Sequence, residues 1–259
     1  MKHFLLSFIM IAALCAVEPL FAQQAATIVR DSRNRIKVTT TQTRSRWVIT
    51  KKNGSTTELR IKQFSKDDAT GLSRVVLEFE QPAKIAGTRF ISMDTGKSGS
   101  NQWIYLPSLG KERRIAGSEG SKSFMETDFS YDDIASTDRN PDLDNHTILR
   151  EENINGKACY VIESKPKDSS YQYSKMIQWI DKSNKVTQKI ELYDKKGVHV
   201  KTLEILELKD IQGRLSATKT RMTTIGGGST TINVEDLKYD VPISESVFSI
   251  AYLRTGKER

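Results

Sequence analysis

Cysteine, histidine and proline are all scarce in this chain: two Cys, three His and six Pro among 259 residues. Cys15 lies in an apolar N-terminal stretch, so once that stretch is removed Cys159 stands alone and no internal disulfide can staple the fold. Stability then has to come from the core. His146 and His199 fall in separate strand-like runs with no second His or Cys close by, which argues against a zinc site. Gly96-Lys97-Ser98 has the ending of a phosphate-cradling loop, but Ile91 stands where that loop needs its first glycine. No Gly-x-Ser-x-Gly elbow occurs, and Ser98-Gly99-Ser100 lacks the strand-to-helix context that would expose a strained serine. Long apolar runs are missing too. The run from Phe4 to Val17 is shorter than the ~20 residues a helix needs to cross a bilayer, and nothing later approaches that length. Asp128, Asp132 and Asp133 are close enough to suggest paired carboxylates, yet an acidic helix entry accounts for them without catalysis. We expect no enzyme, no cofactor and no metal.

What is present begins with a leader. Met1-Lys2-His3 supplies a basic start, Phe4 to Val17 an apolar stretch, and Ala22 a small residue at a breaking point, which together read as a secretory signal over 1–22. Residues 23–259 are then one exported domain, expected in the periplasm. Cys15 offers a lipid-anchored alternative, but Leu14 precedes it where the lipoprotein peptidase wants a small side chain, so cleavage after Ala22 is the preferred reading. The formal charge of +8 survives that cleavage, because the leader carries one Lys and one Glu. Basic and acidic residues alternate along most of the chain, which fits a solvated mixed surface, and we expect no nucleic-acid partner.

The remaining chain is dominated by short strand-like runs. Residues 23–36 have the spacing of one amphipathic helix. After it, strand-like runs cover 37–51, 56–64, 72–79, 85–93, 102–106 and 113–116, and later 147–152, 158–164, 175–180, 185–193, 198–211, 215–224 and 229–239. Asn53-Gly54, Asn155-Gly156, Gln212-Gly213, the Asp181–Asn184 and Asp194–Gly197 stretches and Gly226–Gly228 are the turn signals between them. Such short connections require antiparallel pairing, since parallel strands need long crossovers. The acidic, Ser-rich stretch 118–137 interrupts the pattern. It reads as helical turns and loop lying over the sheet, with Ser130 and Asp132-Asp133 able to cap a short helix. A last helix entry follows Ser244.

The fold class that results is mainly β (α+β): about a dozen antiparallel strands with only three short helical segments to cover an apolar face. A sheet of that length curls as it twists, making a concave apolar wall that the helices can only lid. Such a hollow either fills with side chains or stays open for a ligand, and composition does not choose between the two.

A resemblance bears on the choice. Trp103-Ile104-Tyr105-Leu106-Pro107, the return run Arg113-Arg114-Ile115, and Phe124-Met125-Glu126-Thr127-Asp128-Phe129-Ser130-Tyr131-Asp132-Asp133 together resemble a pattern of the LolA-like proteins described as outer-membrane lipoprotein-sorting proteins. The likeness extends upstream through Phe79-Glu80-Gln81-Pro82 and Gly87-Thr88-Arg89-Phe90, and downstream to the terminal helix. It implies the fold of the LolA, LolB and RseB group: an incomplete antiparallel barrel whose concave face, lidded by short helices, holds acyl chains. On this reading the partners are lipid or lipoprotein acyl chains, with an inner-membrane transporter or outer-membrane acceptor at either end of a transfer. An RseB-like module that senses lipid and binds a regulatory membrane partner is the alternative, and a lipid hydrolase a more distant third. The residues expected at the cavity or lid are Met93, Trp103, Tyr105, Phe124, Met125, Phe129, Trp179 and Phe248. Arg113 or Arg114 is expected to hold the lid through Asp128 or Asp132, or to meet a lipid head group.

Overall fold

The computed structural model describes residues 17–97, 99–136 and 139–258; the expected leader lies outside them as far as residue 16, Cys15 included. Thirteen strands form one sheet: β1 Thr40–Thr50, β2 Thr56–Asp67, β3 Ser73–Gln81, β4 Arg89–Asp94, β5 Ser100–Leu106, β6 Lys111–Arg114, β7 Asp144–Ile154, β8 Lys157–Pro166, β9 Lys175–Asp181, β10 Thr187–Tyr193, β11 His199–Ile211, β12 Arg214–Thr224 and β13 Ser229–Tyr239. Every pairing is antiparallel.

The hairpins follow from their turn residues. Asn155-Gly156 and Gln212-Gly213 both carry positive φ at each position, the geometry whose twist matches two-residue hairpins. The Asp194 carboxylate accepts the backbone N–H groups of Lys196 and Val198, both at 2.9 Å, and so closes the β10–β11 turn. One expected strand start moves. Residues 85–88 form a turn in which Ile85 and Ala86 donate to the Pro82 carbonyl and Gly87 to that of Phe79, so β4 begins at Arg89 rather than Ile85. Similarly, β6 ends at Arg114, although Ile115 still donates to the Gln102 carbonyl.

The strand order is β6-β5-β4-β3-β2-β1-β13-β12-β11-β10-β9-β8-β7. The chain therefore runs two meanders: the first moves outward from β1 to β6, and the second starts at the far edge with β7 and returns to β13, which pairs with β1 through Trp47↔Ile232 and its neighbours. Edges β6 and β7 do not bond to each other, so the barrel is incomplete.

Both faces of the first meander are apolar, which is why consecutive residues of β3 are buried. Val75, Leu77 and Phe79 join Trp47, Ile49, Leu59, Ile61, Phe90 and Ile104 in the larger cluster on the concave face. Val76 instead joins Phe64, Ile91, Val247, Phe248, Tyr252 and Leu253 on the opposite face. Among the described residues three α-helices cover these surfaces. Helix α1 (Val17–Arg33) sets Ala25, Ile28 and Val29 against Ile162 and Ile180 of β8 and β9. Short helix α2 (Tyr131–Ala135) belongs to the segment joining β6 to β7, and packs Tyr131 and Ile134 into the concave cluster. Helix α3 (Ile250–Thr255) lies on the convex side, so the expectation that all short helices lid the concave face holds for α1 and α2 only. Convex strand residues of β3 to β5 are themselves apolar and need cover of their own.

Candidate functional site

The segment 115–136, between β6 and β7, is the concave face's cover over the first meander. Its tip is a tight reversal: Thr127 donates its N–H to the Phe124 carbonyl at 2.9 Å, Phe124 donates to the Phe129 carbonyl at 2.8 Å, and Met125 and Glu126 take positive φ. That reversal aims Phe124 and Phe129 into the barrel. Phe124 is fully buried and meets Phe79, Phe90 and Tyr131 with ring centroids 5.8, 5.1 and 5.3 Å away. Phe129 lies 5.5 Å from Trp47. In this closed arrangement the lid's own aromatic rings occupy the concave wall over the first meander. Further round, Ile190, Val200, Leu203 and Ile232 border the same cluster and are only partly buried.

Two carboxylates fasten this lid to the second meander. Asp128 accepts from the hydroxyls of Thr224 at 2.6 Å and Thr230 at 2.8 Å, while its own N–H donates to Thr230 Oγ1. Asp133 is buried and accepts from Lys201 Nζ at 2.7 Å, Tyr173 Oη at 2.8 Å, Gln172 Nε2 at 3.0 Å and the Ser130 N–H at 2.8 Å. The last bond is half of a capping box, since Ser130 Oγ accepts in return from the Asp133 N–H. Burial, followed by the Asp133 charge, drives the Tyr173 phenol far above its ordinary range, so it stays a donor to that carboxylate. Asp132 faces the other way. It lies so close over Gly120 that a Cβ there would overlap its carboxylate, and burial, with the neighbouring Asp133 charge, raises its pKa despite a 3.1 Å bond from Gln102.

Asp132 also borders a cavity of about 660 Å³ at the unpaired seam, whose walls include Asp94, Lys97, Gln102, Arg114 and Arg139. These walls mix polar side chains with Ile115, Leu143 and Tyr171, and none of the rings of Trp47, Phe90, Phe124 and Phe129 lines them.

The expected site residues divide between the faces. Phe124, Met125 and Phe129 lie on the concave side within the lid. Met93, Trp103, Tyr105 and Phe248 pack together beneath the C-terminal helix on the opposite face. Trp179 packs with Cys159 and Val161, with Lys189 Nζ 3.6 Å from its ring centroid. Neither arginine meets Asp128 or Asp132, the expected lid carboxylates; the lid residue that Arg113 reaches is Glu119. Arg113 binds Glu119 at 2.8 Å, and Arg114 binds Asn101 at 2.6 Å beside Trp103. Both arginines belong to the edge strand, whereas Asp128 lies over β12 and β13, which supply its hydroxyl donors. Of the residues that hold the lid, Asp128 is among those expected there and Asp133 reads only as a helix-entry carboxylate, whereas Lys201, Tyr173, Gln172, Thr224 and Thr230 are not singled out by sequence. The one available signal was the Ser130-x-x-Asp133 cap.

An unclosed antiparallel barrel with a covered apolar concave wall defines the class: a LolA-like fold. A family model described only as that of an uncharacterized protein matches residues 71–255. Among solved structures, a DUF1329 family protein from Desulfovibrio piger is 27% identical, with 90% of this chain and 99% of that one covered at a TM-score of 0.86. A Vibrio parahaemolyticus structure described as a domain of outer membrane lipoprotein-sorting type is 25% identical over the same shares, with a TM-score of 0.84. A LolA superfamily protein from Nitrosomonas europaea shares the fold at 20% identity, 88% and 98% coverage and a TM-score of 0.71. No protein of curated function matches. The chain belongs to the family whose model it matches, and its fold is LolA-like.

Proposed function

We propose that the protein is an exported, non-enzymatic carrier that holds the acyl chains of a lipid or lipoprotein against its concave wall, taking them from one membrane partner and giving them to another. The observation that carries this reading is the nature of the cover. The segment 115–136 reaches the second meander through Asp128 and Asp133 side-chain bonds, not through a strand ladder. Such a cover can lift without disturbing the sheet. When Phe124 and Phe129 withdraw, an acyl chain replaces aromatic contact with aliphatic contact, and each methylene it buries contributes about 0.8 kcal/mol. That gain is graded with chain length and reversible, as hand-over to a better acceptor requires. The chemistry needs no cofactor and no covalent step.

The test is retention of lipid. Delipidated protein is incubated with phospholipid vesicles, re-isolated by size exclusion and extracted for mass spectrometry. Stoichiometric acyl lipid is expected on the wild type, with faster exchange on the lid-loosened variant Asp128→Ala. Protein that emerges free of lipid in both forms overturns the reading.

A further inference from the structure

The alternation of an antiparallel sheet sorts its loops into two ends. Loops 51–55, 82–88, 107–110, 167–174, 194–198 and 225–228 all fall at one end, because β1, β3, β5, β8, β10 and β12 all finish there. Among the described residues five large hydrophobic side chains are exposed: Leu109 at 58%, Val198 at 55%, Ile225 at 51%, Leu149 at 43% and Leu206 at 41%. The last two sit within strands. The first three, also the most exposed, fall in loops of this one end, Val198 just before β11 and Ile225 just after β12, and no described residue in a loop of the opposite end is among the five. Val198 and Ile225 are neighbours there, because the Ile225 N–H donates to the Val200 carbonyl at 2.9 Å.

Isolated exposed aliphatics need no explanation. These three share their rim with the exposed side chains of Lys51, Lys52, Lys84, Lys111, Lys195 and Lys196. The acidic residues of the same loops, Asp168 and Asp194, are engaged by backbone N–H groups of their own turns. Glu126, at the tip of the lid, adds one exposed carboxylate, 3.9 Å from Lys51. Exposed aliphatics flanked by lysine suit a surface that is apolar just below a layer of negative charge.

We propose that this rim docks the protein on an anionic phospholipid bilayer, with Leu109, Val198 and Ile225 entering the head-group boundary and the lysines meeting the phosphates. The lid shares the docked end. Ile225 directly follows Thr224, whose hydroxyl holds Asp128, and the reversal at Met125-Glu126 reaches the same rim through Lys51. The inference goes beyond the carrier reading, since docking requires no lipid to be retained.

The test is co-sedimentation of the exported domain with vesicles rich in phosphatidylglycerol or made of phosphatidylcholine alone, at low and high salt. Association is expected with the anionic vesicles at low salt and is weakened by salt, because lysine attraction is screened. The double variant Val198→Asp/Ile225→Asp should bind about tenfold more weakly or worse, from lost apolar insertion and added like charge. Leu206→Asp, on a strand face, should bind as the wild type, and all forms should keep one melting temperature. A wild type that ignores anionic vesicles, or a double variant that binds equally well, overturns the proposal. Association only with vesicles carrying reconstituted membrane proteins assigns the rim to a protein partner and also overturns it. Lipid uptake from detergent micelles, followed in parallel, separates the two readings: uptake without vesicle binding defeats docking alone, and vesicle binding without uptake defeats the carrier alone.

Discussion

A single carboxylate, Asp133, collects donors from α2, from the loop before β9 and from β11, and this makes it the point at which the lid is joined to the second meander. Replacing it by Asn leaves Lys201 largely buried without its counter-charge. The Asp133→Asn variant should lose about 3 kcal/mol of stability in denaturant unfolding, and adding Lys201→Met should recover part of the loss. Its neighbour behaves oppositely. The Asp132 pKa is raised in the folded protein, so its contribution to stability is complete below the ordinary carboxylate range and is lost as pH rises through the raised value. Asp132→Asn should therefore melt higher than the wild type at neutral pH, with the difference closing below about pH 4 in thermal scans. Adjacent aspartates with opposite surroundings cannot be told apart by sequence. The cap pattern at Ser130 pointed to helix entry, but which carboxylate turns toward Lys201 depends on strands that lie far away along the chain.

The lid is an element without a ladder, and its attachments can be loosened one at a time. Asp128→Ala removes the carboxylate bonds to Thr224 and Thr230, keeps the backbone N–H bond to Thr230 and leaves the aromatic plug in place. Backbone N–H groups of 115–136 should exchange with solvent faster in this variant, while those of β1 to β4 keep their protection, a contrast that hydrogen-exchange mass spectrometry resolves directly. Loss of protection spreading through the strands would show the lid to be part of the core. At this scale the sequence was most readable. The thirteen strand-like runs correspond to the thirteen strands, because their turns are set by local residues such as Asn155-Gly156. The face of each residue was less readable. Trp103 and Tyr105 alternate correctly with Ile104, but both faces of β5 are covered, and alternation alone does not say which face α3 occupies.

For the whole molecule, the join between β1 and β13 decides the architecture, and it was the least readable feature. Nothing local in Trp47 or Ile232 announces that they are partners; their pairing follows only from the second meander starting at the far edge. Each hairpin closes over a short separation, whereas this join closes over almost the entire described chain. Loop-closure entropy makes such a contact late and slow to form. A chain synthesised from its N-terminus can therefore assemble its first six strands early, yet one side of β1 has no neighbour until the thirteenth arrives. A chain ended before Ser229 should lack a single cooperative thermal transition and should self-associate through that bare strand, measurable by calorimetry and light scattering. Completion of the sheet thus waits for β13: the concave wall is unbroken only once Ser229–Tyr239 has taken its place beside β1.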